Sequence, residues 1–213
     1  VMVRTGPDGA LWVADMYRYM IEHPQWLPQE GRDELLPHYR LGDDKGRIYR
    51  IDRTASTPSP IPDLTALDSA GIVAQLQSGN GWIRDKAQQI LLWGSAAPET
   101  ITALRTLALT APEPLARLHA LCTLEGLGEL GAAREALLAA LRDPHPGLRE
   151  NALRLAEASA DPDIRTAALG LVGDPDARVR LQLAFTLGEW KSPEAGKALA
   201  SLLSADTGDP FFA

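Results

Sequence analysis

Apolar residues recur every three or four positions along the last three-quarters of this chain, which is the spacing of one helix face. Asp68 and Asn80 stand where helix N-caps belong. Gly79 and Gly94 stand where helices end, and Gly94 is expected in the left-handed conformation. Residues 68–94 therefore predict two helices joined by a short turn. The apolar stripe of the second helix consists of Trp82, Ile83, Ala87, Ile90 and Leu91.

The same pattern returns at a nearly constant period. An apolar residue followed by arginine marks each copy, at Arg84, Arg117, Arg149 and Arg180, with spacings of 33, 32 and 31 residues. A lone helical hairpin cannot bury its stripe, so such repeats stack into a solenoid. HEAT repeats have a longer period, about 40–47 residues. We therefore predict a mainly α fold, a short HEAT-like solenoid of four to five hairpins without strands, in which Leu121, Cys122, Leu153, Leu155, Leu183 and Leu187 are buried.

The front of the chain has a different pattern. Two short runs, Leu11–Ala14 and Gly46–Ile51, predict strands, and Gly6–Gly9 predicts a turn ahead of the first. The stretch from about Tyr17 to Lys45 is expected to be irregular. Two strands alone are marginal in water, so they are expected to belong to a larger sheet.

Three prolines in five residues mark a boundary between these regions. The predicted organisation is a β segment over 1–53, a proline-rich linker over 54–63 and helical repeats over 64–213. The chain opens on Val1 without an initiator methionine, and residues 209–213 look like the start of another helix. We therefore expect a piece of a longer protein that stops inside a repeat.

Composition excludes several function classes. Asp and Glu outnumber Lys and Arg, 28 to 21, for a net charge of −7, and no basic block interrupts them. Nucleic-acid binding needs a basic face, so it is not expected. No apolar run reaches the roughly 18 residues of a membrane span. The single cysteine, Cys122, makes neither a disulfide framework nor a zinc site.

Two runs at the front resemble a known family. Gly6-Pro7-Asp8-Gly9-Ala10-Leu11-Trp12-Val13-Ala14-Asp15 resembles the closing blade of a sugar-dehydrogenase-like β-propeller. The runs Met16–Arg18, Ile21–Pro28 and Gly42–Ile51 are similar to the membrane-bound dehydrogenases of planctomycete and verrucomicrobial type. The order in that family is propeller, HEAT-like repeats, then a c-type cytochrome domain.

The resemblance implies that this segment joins a propeller to a haem domain in the periplasm or cell envelope. A cytoplasmic location is not excluded. The family attaches haem at Cys-x-x-Cys-His, which this chain lacks. No cofactor is therefore expected in this chain, and haem c is expected in the larger protein. The expected partners are proteins or neighbouring domains of the same chain, and any dehydrogenase activity belongs to the whole.

A group of polar and aromatic residues in the front segment could face a ligand: Asp15, Tyr17, Arg18, His23, Trp26 and Arg47. Loops that leave propeller strands line one face, where ligands tend to bind. In the alternative, Asp15 caps a turn, Arg18 pairs with Glu22, and Trp26 packs the insertion onto the sheet instead of stacking on a sugar. No metal site is predicted, because Asp43, Asp44 and Asp52 lack the spacing of a calcium loop.

The column of four arginines also has two interpretations. It forms either an internal ladder, held by carbonyls or by aspartates such as Asp143 and Asp174, or a surface for an acidic partner. Three functions remain open at this stage: a scaffold that links domains, one wall of a dehydrogenase pocket built from the 15–47 region, and a free-standing HEAT-repeat adaptor.

Overall fold

A computed structural model describes residues 1–53, 57, 59–94 and 97–205. The chain forms two compact units. The first comprises Val1–Asp63 with Asn80–Trp82, and the second comprises Leu64–Gly79 and the chain from Ile83 onward. The predicted class, mainly α with a small β segment, is confirmed. Part of the predicted linker, at 54–56 and 58, and the predicted helix start at 209–213 lie outside the described residues.

The first unit contains a three-stranded antiparallel sheet in the order β1-β2-β3. Its strands are β1 (Met2–Thr5), β2 (Leu11–Asp15) and β3 (Arg47–Ile51). Sequence analysis predicted only β2 and β3, because the four residues of β1 show no clear alternation. The predicted turn at Gly6–Gly9 joins β1 to β2, with Gly9 at φ 80°. Asp8 holds this turn, since its Oδ1 accepts from the Ala10 amide and from the Trp12 indole.

One face of this sheet is apolar and largely uncovered. Strand register puts five apolar residues on the same face: Val3, Leu11, Val13, Tyr49 and Ile51. Four of them, all except Val13, are 42–52% exposed. Among the described apolar side chains of this unit, only Ala10 and Pro24 are buried. The sheet unit therefore has almost no core of its own.

The connection between β2 and β3 is more ordered than expected. It contains a 3₁₀ helix at Pro24–Trp26, the helix α1 (Gln29–Leu35) and a 3₁₀ helix at Leu36–His38. The prediction of an irregular stretch was wrong here. Arg32 reaches back from α1, and its Nη2 donates to the carbonyls of Gln25 and Leu27, which ties the helix to the preceding turn.

The second unit consists of helical hairpins, and its described residues contain no strand. The helices are α2 (Ser69–Gln75), α3 (Gly81–Trp93), α4 (Pro98–Thr110), α5 (Pro114–Gly126), α6 (Arg134–Ala140), α7 (Pro146–Ala156), α8 (Pro162–Leu169), α9 (Ala177–Glu189) and α10 (Pro193–Ala205). In chain order they form the pairs α2/α3, α4/α5, α6/α7 and α8/α9, and α10 begins a further repeat. In one layer α2 packs on α4, α4 on α6 and α6 on α8, and in the other α5 packs on α7 and α7 on α9. The 3₁₀ helix Gly170–Gly173 contacts both α8 and α9.

Side-chain and proline caps set the helix starts. Asp68 Oδ1 accepts from the Gly71 amide at 2.8 Å, and Asp161 accepts from two amides at the start of α8. Proline occupies the first position of α4, α5, α7, α8 and α10, where the missing N–H costs no bond. The expectation for Gly94 was wrong, because its φ is not positive and its amide continues the helix by donating to the Ile90 carbonyl. Gly128, after α5, takes the left-handed conformation at φ 76°.

The core between the two layers is built from leucine and alanine. Five of the six residues predicted to be buried are so: Leu121, Leu153, Leu155, Leu183 and Leu187. The prediction for Cys122 was wrong, because it is only half-buried. It lies five positions after the repeat arginine, where the counterparts Arg154 and Phe185 are exposed. Partial burial still raises the pKa of the Cys122 thiol.

Candidate functional sites

The β2–β3 connection forms a cavity of about 450 Å³ in the first unit. Its walls are Tyr17, Arg18, Tyr19, Leu41, Gly42 and Lys45. We call it the Tyr17 cavity. The residues come from the two ends of the connection, and the Tyr19 amide donates to the Leu41 carbonyl at 3.1 Å to hold these ends together.

Backbone strain marks this cavity. Tyr17 has φ 50°, and no other described non-glycine residue has a positive φ. The Asp15 Oδ1 accepts from the Tyr17 amide at 3.0 Å and fixes that turn. Gly42 has φ 80°, and a Cβ there would lie 1.9 Å from the Tyr17 carbonyl oxygen. Only glycine fits at position 42, and sparsely populated backbone conformations of this kind cluster at ligand sites.

Cations lie close to the Tyr17 and Tyr39 rings. The Arg47 guanidinium carbon lies 3.8 Å from the centroid of this ring, and Lys45 Nζ lies 6.0 Å from it. Arg18 Nη2 donates to the Tyr39 carbonyl at 3.1 Å, and its guanidinium lies over the Tyr39 ring. The Arg18 Nε is buried without a hydrogen-bond partner. The cavity is therefore rich in positive charge and in aromatic surface.

The structure brings four of the six predicted ligand-facing residues together here: Asp15, Tyr17, Arg18 and Arg47. His23 does not line the cavity: its Nδ1 accepts from the Gln25 amide at the start of a 3₁₀ helix, and its ring packs edge-on against Tyr39. Trp26 is 75% exposed, so the interpretation that it packs the insertion onto the sheet was wrong. The proposed Arg18–Glu22 pair was also wrong, because Arg18 bonds the Tyr39 carbonyl instead.

Four cavity residues were missed as site residues: Tyr19, Leu41, Gly42 and Lys45. They are 20 or more residues from Tyr17 in three of the four cases, and nothing in local periodicity pairs such distant positions. The Leu41-Gly42 step is a usable signal, since glycine in a polar, charged stretch marks a close backbone approach.

A second site is the edge of the repeats that carries the arginine column. Arg117 Nε and Nη2 each donate to the Asp143 carboxylate at 2.9 Å. Arg149 donates to Asp174 in the same way, at 2.7 Å for both bonds. Each pair links one repeat to the next, so the two pairs form rungs along the solenoid. The Asp174 bond raises the pKa of Arg149.

Each rung aspartate has three contacts. The Asp143 carboxylate accepts from Arg117 of the preceding repeat and from the His145 amide in its own turn. Its carbonyl accepts from Arg149 Nη1, six residues later, at 2.8 Å. Asp174 repeats this arrangement with Arg180 Nη1 at 2.8 Å. The aspartate six positions before Arg149, and the one six positions before Arg180, therefore joins its own helix start to the previous repeat.

The first junction departs from this pattern. Arg84 Nη1 donates to the Ser78 carbonyl, also six residues earlier, at 2.7 Å. The residue that corresponds to Asp143 and Asp174 in the next repeat is Ala111, which has no carboxylate. The Arg84 Nε is accordingly buried without a hydrogen-bond partner. Burial, with a further contribution from the charge of Arg84, lowers the pKa of the nearby His119.

Two of the three aspartates considered for calcium have other contacts. Asp43 pairs with Arg40 at 2.6 Å, and Asp52 pairs with Arg50 at 2.9 Å. Among the described residues no group of three or more His, Cys, Asp or Glu side chains is placed to hold a metal ion. In the described part of the chain, no helix is both long and apolar enough to cross a membrane.

Comparisons with known families match two separate parts of the chain. Residues 1–55 match a domain of unknown function (DUF7133), and residues 134–211 match HEAT repeats. No curated protein matches the chain significantly. The HEAT match identifies the repeats from α6 onward as HEAT-like, as their hairpin stacking indicates.

Proposed function

We propose that this chain is a helical-repeat scaffold and interaction module. In a larger dehydrogenase of the family that it resembles, it joins a propeller domain to a cytochrome c domain. The observation that carries the scaffold role is the pair of arginine–aspartate rungs, which lock successive hairpins together beside a continuous leucine core. HEAT repeats commonly serve protein interactions, and the match at 134–211 supports this role.

The sheet unit supports the proposal of a larger protein. In the described residues, β1 and β3 each pair on one side only, and the face of Val3, Leu11, Tyr49 and Ile51 is substantially exposed. Three short strands with an uncovered apolar face need a partner surface, because such patches favour association. Neighbouring propeller blades would supply one. Haem c and a periplasmic or envelope location follow as parts of the same proposal.

A second candidate function is one wall of a dehydrogenase pocket, contributed by the 15–47 region. The strained Tyr17 and the cations around it favour this candidate. The third, a free-standing HEAT-repeat adaptor, leaves the apolar sheet face without a role and is therefore ranked below the others.

The native protein distinguishes these candidates. We would purify it from the source organism with an antibody against this chain, measure its intact mass and stain it for covalent haem. The proposal expects a product well above 23.0 kDa that carries haem and cross-links from the repeats to segments on both sides. The isolated chain should bind no haem covalently. A haem-free native product of about 23.0 kDa would contradict the linking role and favour the adaptor.

A further inference from the structure

We propose that the Tyr17 cavity binds a small anionic molecule through a carboxylate or phosphate group. This inference goes beyond the scaffold role, because it requires neither the repeats nor a dehydrogenase. The volume of the Tyr17 cavity, about 450 Å³, lies in the range of small-molecule sites.

The charges around the cavity favour an anion. Arg18 and Lys45 line it, and Arg47 stacks on the Tyr17 ring at 3.8 Å. Of the neighbouring carboxylates, Asp15 accepts from the Tyr17 amide, and Asp43 pairs with Arg40. Two cations, Lys45 and Arg47, therefore lie near the Tyr17 ring, and Arg18 adds a third on the cavity wall. An oxyanion would be attracted to this group of charges.

Arg18 is held in place for this task. Its Nη2 donates to the Tyr39 carbonyl at 3.1 Å, and its guanidinium lies 5.4 Å from the centre of the Tyr39 ring. These contacts fix the plane of the guanidinium, while its Nε has no hydrogen-bond partner. Although this Nε is buried and closed to a ligand, a pre-oriented guanidinium suits planar carboxylate and phosphate groups, since less side-chain entropy is lost on binding.

The rest of the wall suggests a ligand with an apolar face beside its charge. Tyr17 and Tyr19 are both at least half-exposed, and Leu41 completes the apolar part of the wall. The backbone that presents Tyr17 is constrained from both sides, by the Asp15 bond to its amide and by Gly42 against its carbonyl. Such a rigid surround limits the reorganisation that binding requires.

The test uses the full 213-residue chain at constant ionic strength, with sodium chloride as the balancing salt. Two probes, inorganic phosphate and benzoate, are titrated while side-chain ¹⁵N–¹H signals of arginine and lysine are recorded by NMR. Phosphate tests for a phosphate ligand, and benzoate tests for a carboxylate next to a ring. We expect saturable shifts of the Arg18 and Lys45 signals with at least one probe.

Variants locate the binding. Lys45→Gln removes a cation whose side chain makes no hydrogen bond among the described contacts. This substitution should weaken binding of the anion about tenfold, which is roughly the effect of losing one charge-assisted hydrogen bond. Arg18→Gln should weaken it at least as much. Arg4→Gln is the matched control, because it removes the same charge from the exposed strand β1, where Arg4 contacts only the adjacent Val3 carbonyl among its described bonds. It should change affinity less than twofold.

Two results would overturn the proposal. One is the absence of saturable shifts with both probes. The other is an equal loss of affinity in Lys45→Gln and Arg4→Gln, which would show that the anions respond to net charge and not to this cavity. If only Arg18→Gln unfolds, Lys45→Gln against Arg4→Gln still decides the question.

Discussion

The two units of this chain differ in how much of their apolar surface is buried. In the repeats, each leucine stripe is covered by the next hairpin, and Leu121, Leu153, Leu183 and Leu187 are almost fully buried. In the sheet unit, the apolar face formed by Val3, Leu11, Tyr49 and Ile51 is left substantially open. Stacking gives every repeat a neighbour made from the same chain. A three-stranded sheet has no such neighbour, so this part of the molecule is the one that calls for a partner.

The largest expected contrast lies in the apolar side chains. Leu155→Ala should lower the free energy of unfolding by about 2–5 kcal/mol, because a buried leucine leaves a cavity. Ile48→Ala is the control in the sheet, where Ile48 is 69% exposed, and should cost less than about 1 kcal/mol. Chemical denaturation measures both. Equal losses would mean that the sheet has a core comparable to that of the repeats.

Arginine chemistry gives the next effect. Arg149→Lys keeps the charge but loses the two-pronged contact with Asp174, whose side chain is only 3% exposed, and should cost about 1–3 kcal/mol. Arg178→Lys on the same solenoid is the control, because Arg178 is mostly exposed and should change stability by less than about 0.5 kcal/mol. No loss in Arg149→Lys would favour the alternative that the column binds an acidic partner.

A missing rung can be supplied. Ala111→Asp should raise stability by about 1 kcal/mol, because the new carboxylate would accept from the buried Arg84 Nε. The backbone already suits aspartate, since Ala111 (φ −60°, ψ 133°) and Asp174 (φ −58°, ψ 134°) have the same conformation. The same substitution in an Arg84→Gln background should give no gain. A loss of stability in Ala111→Asp alone would show that the first junction has a different geometry.

The smallest effect concerns acid in the sheet unit. The Trp12 indole and the Arg50 guanidinium hold the pKa of Asp8 at about 2, below its ordinary value of 3.8. The folded pKa is the lower one, so the contribution of Asp8 to stability is full above pH 3.8 and disappears as the pH falls towards 2. NMR of the Asp8 carboxyl and the Trp12 indole should show this titration, and Asp8→Asn should abolish it. A midpoint near 3.8 would contradict these contacts.

Sequence patterns were sufficient where local chemistry decides the structure. Hairpins, caps such as Asp68 and Asn80, and the leucine core follow from periodicity and capping preferences alone. β1 was missed, because its formation depends on pairing with β2 and not on its own four residues. The positive φ of Tyr17 was not predictable either, because nothing in the local sequence shows that the distant Gly42 approaches its carbonyl so closely.

The four repeat arginines were visible in the sequence, but their spacing did not show which of them have an aspartate partner in the next repeat. The four arginines have the same spacing, and only the residue six positions before each one reveals which junction carries a rung. Asp143 and Asp174 occupy that position in later repeats, and Ala111 and Ser78 occupy it earlier. The contrast between Trp26, which is exposed, and Tyr17, which lines a cavity, likewise needed three-dimensional placement.

The uneven rungs also bear on how the solenoid would respond to a pulling force. A load along the array is carried across each junction by packing and, at the two later ones, by the Arg117–Asp143 and Arg149–Asp174 pairs. Among the described contacts, the junction between Arg84 and Ala111 has no such ion pair and is crossed by the neutral Gln88–His119 hydrogen bond at 2.8 Å, so it should yield at a lower tension than the two later junctions. The array would then extend stepwise. The first junction would open at low force, before the load disturbs the leucine core of the later repeats.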